Sequence, residues 1–204
     1  MEEYIRSFTS KKNRVQLKRR GNEEYILKEY TNPDSCEREA AVYAGLKKTP
    51  HARYIRTGAL SAEMEYINAP NFVDVLEEFE RTGADACPVF MKLFDWLGSF
   101  HSETGLIMAD DNLRNFLLRE GEVIGIDFED CTEGEPIFDL AAVTAYVLTY
   151  NPPYTDYKCA LAERLAEYEE GIAREAMKII SVMCERRKNL PAPPKNLFLK
   201  EHIK

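Results

Sequence analysis

The chain is 204 residues long, 45% apolar and 30% charged, with a formal net charge of −8. That is the composition of an ordinary globular protein, one that should bury roughly 70% of its unfolded surface. The absence of an apolar run near the ~18 residues of a membrane span, an acidic start where a signal peptide would be basic, and five scattered cysteines without a C-x-x-C pair argue against a membrane protein, a disulfide framework and a zinc site, so a cytoplasmic location is expected.

The charge is unevenly spread. Residues 1–66 hold 13 basic and 10 acidic residues, whereas residues 67–204 hold 14 and 25. Seven basic residues and no acid lie within 6–20, a stretch able to attract a polyphosphate or simply to be solvated. The acidic remainder argues against general nucleic-acid binding.

In chain order, residues 4–8, 14–18 and 25–30 alternate in the strand period, with turns at Ser10-Lys11-Lys12-Asn13 and Arg20-Gly21-Asn22. A helix is predicted from Asp34, read as its N-cap with Glu37 three residues on, burying Ala40, Tyr43, Ala44 and Leu46. Residues 53–57 and 63–67 read as two more strands. After residue 70 the pattern turns helical. It predicts a short helix over 72–79 and a longer one burying Phe90, Leu93, Phe94, Leu97, Phe100 and His101, ending at Gly105. Residues 138–150 are apolar nearly all round and read as a central buried helix, stopped by Asn151-Pro152-Pro153. Residues 154–188 read as helix broken near Gly171, and Pro191-Ala192-Pro193-Pro194 as an irregular strap. The expected fold class is α+β, with two lobes, 1–66 and 67–204.

Residues 106–130 are the most informative. Two apolar runs, 116–118 and 123–126, flank Arg119-Glu120-Gly121-Glu122 and read as a tight hairpin. A hairpin brings its outer ends together, so Asn115 and Asp127 should meet at the open end. Both offer hard oxygens of the kind Mg²⁺ accepts alongside substrate phosphates. Asp110 lies five residues before Asn115, on the loop entering the hairpin.

The sequence Asp110-x-x-x-x-Asn115, a hairpin, and then Ile126-Asp127-Phe128-Glu129-Asp130 resembles the catalytic loop and metal motif of kinase-like enzymes, most closely the aminoglycoside phosphotransferase and choline kinase group. Gly134-Glu135-Pro136-Ile137-Phe138-Asp139-Leu140-Ala141 is similar to the segment that follows in that group. Upstream, Tyr25-Ile26-Leu27-Lys28 looks like the strand with the phosphate-binding lysine, Arg38-Glu39-Ala40 like the helix supplying its partner, and Met64-Glu65-Tyr66-Ile67 like the hinge whose backbone binds adenine. The resemblance covers about residues 4–150 and implies a bilobal protein-kinase-like fold, a small β-rich first lobe with one helix and a mostly helical second lobe. It implies ATP and Mg²⁺ as cofactors. Asp110 would be the catalytic base and Asn115 and Asp127 metal ligands, with Glu129 a further metal-facing group. Lys28, paired with Glu39, would hold the phosphates, and Glu65 and Ile67 would hold adenine. Asp139 would brace the catalytic loop.

The sequence departs from the group in two places. Met108-Ala109 stands where His-Gly is usual, and the Ser10–Asn13 turn lacks glycine, so that Ser10, Lys11 and Lys12 would meet phosphate with side chains. Only nine residues separate Glu129 from Asp139, which leaves no peptide-docking activation segment. Three functions remain open. One is a small-molecule phosphotransferase acting on a hydroxyl, for which the acidic second lobe suggests a cationic acceptor. Another is an atypical protein kinase or ATPase of a protein complex, to which the length and the Cys184-Glu185-Arg186-Arg187-Lys188 ending are similar. The last is a nucleotide-binding pseudokinase.

Overall fold

The computed structural model describes residues 2–10, 12–110 and 112–198. Its first part is an antiparallel sheet of β1 (Glu2–Phe8), β2 (Arg14–Arg20), β3 (Glu23–Glu29), β4 (Tyr54–Arg56) and β5 (Ser61–Glu65), ordered β1-β2-β3-β5-β4. The helix α1 (Pro33–Gly45) connects β3 to β4. The second part holds α2 (Phe72–Thr82), α3 (Cys87–Thr104), the hairpin β6 (Phe116–Arg119) and β7 (Glu122–Gly125), α4 (Ile137–Thr149), α5 (Asp156–Ala166) and α6 (Ile172–Arg186). This is the α+β, bilobal kinase-like arrangement that the sequence predicts.

Two details of the first lobe differ from expectation. The cap of α1 is Asn32, not Asp34. The Asn32 side chain accepts the Asp34 N–H at 2.9 Å, and Pro33 occupies the first turn, where its missing N–H costs nothing. The buried face of α1 is Cys36, Glu39, Val42, Tyr43 and Leu46, while Ala44 is exposed. A carboxylate inside the buried stripe hides the register from an apolar count. The second correction concerns β5, which lies two residues earlier than expected. It pairs with β3 from Ser61↔Glu29 to Tyr25↔Glu65. A tight turn, with the Ala69 N–H on the Ile67 carbonyl at 3.0 Å, then leads away, so Ile67 lies outside the strand.

The core of the second lobe is α3, whose Phe90, Leu93, Phe94, Leu97 and Phe100 are completely buried. Each such side chain contributes about 1.5–3 kcal/mol. Gly105 ends α3 in the left-handed conformation. In the β6–β7 turn Glu120 and Gly121 both have positive φ, as a two-residue hairpin loop requires. The pairing Phe116↔Gly125 follows, and the Asn115 carbonyl accepts the Ile126 N–H at 2.9 Å. Gly125 is needed here, because a Cβ would lie 2.3 Å from the Trp96 ring.

The lobes are joined partly through Glu103, near the end of α3. Its carboxylate accepts the N–H groups of Lys47, Lys48 and Thr49 at 3.1, 2.8 and 3.1 Å. Burial is the largest single effect and pushes its pKa up, but these donors together outweigh it, and the pKa falls from 4.5 to about 2. A depressed acid contributes stability that is present above its unfolded value and is lost as pH falls through the folded one. Glu103→Gln is therefore expected to lower the melting temperature at pH 7, and its gap to the parent should close between about pH 4.5 and pH 2. Thermal melts of both proteins across that range check this; a gap independent of pH would refute it.

Candidate active site

The open end of the β6–β7 hairpin meets β3 and α1 around one lysine. Lys28 is 3% exposed, and its Nζ lies 2.7 Å from Glu39, 2.5 Å from Asp127 and 3.3 Å from Glu129. Burial alone would push the ammonium pKa down. The three carboxylates more than reverse this, and the lysine stays charged. Glu39 is wholly buried and saturated: it also accepts the Tyr30 hydroxyl at 2.6 Å and the Phe128 N–H at 3.1 Å. Burial pushes its carboxyl up against the pull of Lys28. Four residues that span positions 28 to 129 in the sequence are thus gathered in one cluster. Tyr30 was not foreseen; it is visible in sequence only as the end of a strand.

The loop that carries Asp110 runs from α3 to the hairpin and is braced at its start by α4. Asp139, fully buried in the first turn of α4, accepts the Met108 N–H at 2.8 Å and lies 2.7 Å from His101 Nε2. His101 packs on the apolar face as expected, yet it also has this polar partner. Ala109 has a φ of 60°, in the region that favours glycine, the residue the resembled group carries there. Such a conformation costs an alanine about 1–2 kcal/mol. The Asn115 amide NH₂ donates to the Asp110 carbonyl at 2.9 Å, which leaves the amide oxygen as the atom Asn115 can offer a ligand. Asp110 is half-buried. Burial raises its pKa, the Asp127 and Asp130 charges raise it further, and Lys12 and the Asn112 N–H oppose the rise. The direction suits a carboxylate that accepts a proton.

The β1–β2 turn reaches over the same place. Lys12 Nζ lies 2.7 and 2.6 Å from the two Asp130 oxygens, and Asn13 Nδ2 donates to Glu129 at 2.5 Å. The Ser10 hydroxyl accepts the Asn13 N–H at 3.2 Å and so closes the turn internally. Lys11 lies outside the described residues. Asn13 and Asp130 were not singled out in the sequence; the only hint was a basic turn and a pair of acids of opposite sign. Glu65 ends β5, its N–H bonded to the Arg53 carbonyl at 2.8 Å, and Ile67 lies buried just beyond it.

Oxygens of Glu39, Asp127 and Glu129 lie within 4.8 Å of one another, but the cation among them is Lys28. Glu129 is held by Lys28 and Asn13, and Glu39 by its full set of donors. The groups left with an oxygen for a divalent ion are Asp127, whose carboxylate is 42% exposed, and Asn115. This all-oxygen pair fits Mg²⁺.

Residues 48–179, more than half of the chain, match the sequence model of the phosphotransferase enzyme family. No curated protein matches the chain.

Proposed function

Because the chain belongs to the phosphotransferase enzyme family, we propose that it moves the γ-phosphate of ATP to a hydroxyl of a small molecule, with Asp110 as the catalytic base. The observation that carries this reading is the gathering of Lys28, Asp127, Asn115 and Asp110 at the open end of the β6–β7 hairpin. Lys28, aimed by Glu39, binds the α/β-phosphates. Asn115 and Asp127 hold Mg²⁺, and Glu129 stands behind them as the tether of Lys28 and Asn13. The metal ion, when bound, draws negative charge from the phosphates. Glu65 and Ile67 line the connection against which adenine packs, and Ser10 keeps the overlying turn closed. Asp110 orients the acceptor hydroxyl and takes its proton as the oxygen bonds to the γ-phosphorus and the bond to ADP breaks. Positioning and fixed charge supply most of the acceleration in such a transfer.

The test is incubation with [γ-³²P]ATP and a panel of amino alcohols, aminoglycosides, sugars and hydroxy acids. Label is expected on an acceptor with Mg²⁺ and not after chelation. ATP binding with no labelled acceptor would favour a nucleotide-binding pseudokinase. Label on the protein itself, or on a captured protein, would favour an atypical protein kinase.

A further inference from the structure

A second group of residues gathers just beyond Asp110 in the chain. The side-chain oxygen of Asn112, two residues beyond Asp110, accepts both the Arg114 N–H at 3.1 Å and the Tyr150 hydroxyl at 2.5 Å. The catalytic loop is thereby fastened to the end of α4. The Arg114 guanidinium stands 5.7 Å over the Tyr150 ring, and the Arg187 guanidinium, just past α6, stands 5.9 Å over the Tyr146 ring. The two rings are neighbours, 6.0 Å apart. Burial pushes the Tyr150 hydroxyl up to about 12, and the Asp110 carboxylate is close enough to add to that rise.

Most arginines of the protein that lie near acids are paired with them, as Arg20 is with Glu2 and Glu63, and Arg164 with Asp85. Arg114 and Arg187, like Arg6, Arg38, Arg56 and Arg186, stand outside such pairs, and these two lie over the neighbouring Tyr150 and Tyr146 rings. Among the described residues, no carboxylate lies within ion-pair distance of either. Both are exposed, while the tyrosines beneath them are half-buried. A guanidinium laid on an aromatic face keeps its N–H fork directed outward in the ring plane, and that fork matches a carboxylate or phosphate. Two guanidinium groups without a carboxylate partner among the described residues thus stand on the Tyr150 side of the loop, where they favour an anionic group over the cationic acceptor that the lobe's net charge suggests.

We infer that the acceptor is a small hydroxyl-bearing anion, a carboxylate or a phosphate monoester, whose charge is held by Arg114 and Arg187 above Tyr146 and Tyr150 while its hydroxyl faces Asp110. This rests on the phosphotransferase reading. The transfer step is unchanged: the hydroxyl oxygen bonds to the γ-phosphorus, the bond to ADP breaks, and the proton passes to Asp110. The anionic group takes no part in the chemistry and fixes only the acceptor's position.

The test compares glycerate and 3-hydroxybutyrate, glycerol 3-phosphate, the neutral glycerol, and the cationic choline and kanamycin. Each is titrated calorimetrically into the full chain with a non-hydrolysable ATP analogue and Mg²⁺, and each is assayed for label from [γ-³²P]ATP. Carboxylates or phosphate monoesters are expected to bind, the two subsets showing which anion is preferred. Arg187→Ala should weaken that binding, or raise the acceptor KM, at least tenfold, with Arg187→Lys intermediate and the affinity for the ATP analogue unmoved. Anion binding that behaves so supports the inference even where no label is transferred, in which case only the phosphotransferase reading fails. Transfer to glycerol, choline or kanamycin with a KM indifferent to Arg187→Ala overturns the inference and leaves the phosphotransferase reading standing. Anions that bind no better than glycerol overturn it as well.

Discussion

Asp110→Asn is expected to lower kcat for phosphoryl transfer by roughly 10²–10⁴-fold, the range over which a positioned base contributes. The KM for ATP should change little, because Asp110 touches neither Lys28 nor its partners. The substituted protein should also be at least as stable as the parent. Its carboxylate is half-buried and is repelled by Asp127 and Asp130, so an amide of the same shape removes an unfavourable charge. A loss of activity without a loss of stability is the mark of a group kept for chemistry rather than for folding. Steady-state kinetics with the best acceptor and thermal melts of the same preparations check both halves. Unchanged kcat would remove Asp110 from the mechanism, and a large fall in melting temperature would make it structural.

Lys28→Met is expected to destabilise the fold by about 3–5 kcal/mol at pH 8, the cost of stripping the partner from a buried charge. Glu39 is wholly buried and would keep only the Tyr30 hydroxyl and the Phe128 N–H. It is already pushed above its ordinary value of 4.5 by burial, with Lys28 holding it down. Without the lysine it rises further. An acid whose folded value is raised loses stability as pH climbs from the unfolded value through the folded one. The deficit should therefore be small near pH 4.5 and widen as the pH rises. Urea unfolding of parent and variant at several pH values measures this. Pairing Lys28→Met with Glu39→Gln should recover part of the loss, which separates the buried charge from the missing side-chain volume. A deficit independent of pH would mean that Glu39 is not the group left exposed to the penalty.

What the sequence revealed, and what it hid, follows from the range of each interaction. The hairpin that joins Asn115 to Asp127 was readable because its turn chemistry is local, and Glu120-Gly121 can adopt the two positive φ values it needs. The apolar stripe of α3 was readable because Phe90 to Phe100 repeat at helical spacing. The start of α1 was misplaced by two residues because Asn32 and Asp34 are both good caps, and only the hydrogen bond to the Asp34 N–H decides between them. The face of α1 was obscured because one of its buried members is a carboxylate that needs Lys28, eleven residues earlier, to be there. The meeting of Arg114, Tyr150 and Arg187 was hidden, although residues 150–190 were expected to help build an acceptor site. Arg114, Tyr150 and Arg187 lie on three elements whose meeting depends on how α4 and α6 pack, and no local pattern encodes that.

The turn between β1 and β2 grips the second lobe by one ammonium and one amide, reaching residues 118 and 116 positions away. Lys12 is 57% exposed, so its grip on Asp130 contributes only about 0–1 kcal/mol. That contact adds little to the Asn13–Glu129 bond beside it, so Lys12 is the member of the pair that a bound anion could draw away at small cost. On the ATP reading, a bare nucleoside gives Lys12 nothing in place of Asp130, whereas a triphosphate outbids the aspartate with a denser charge. On that reading such a turn would act as a valence filter, sorting ligands by the number of negative charges they carry before any base or sugar is inspected. A glycine-rich backbone grips phosphate by shape; on that reading a single ammonium would weigh it by charge.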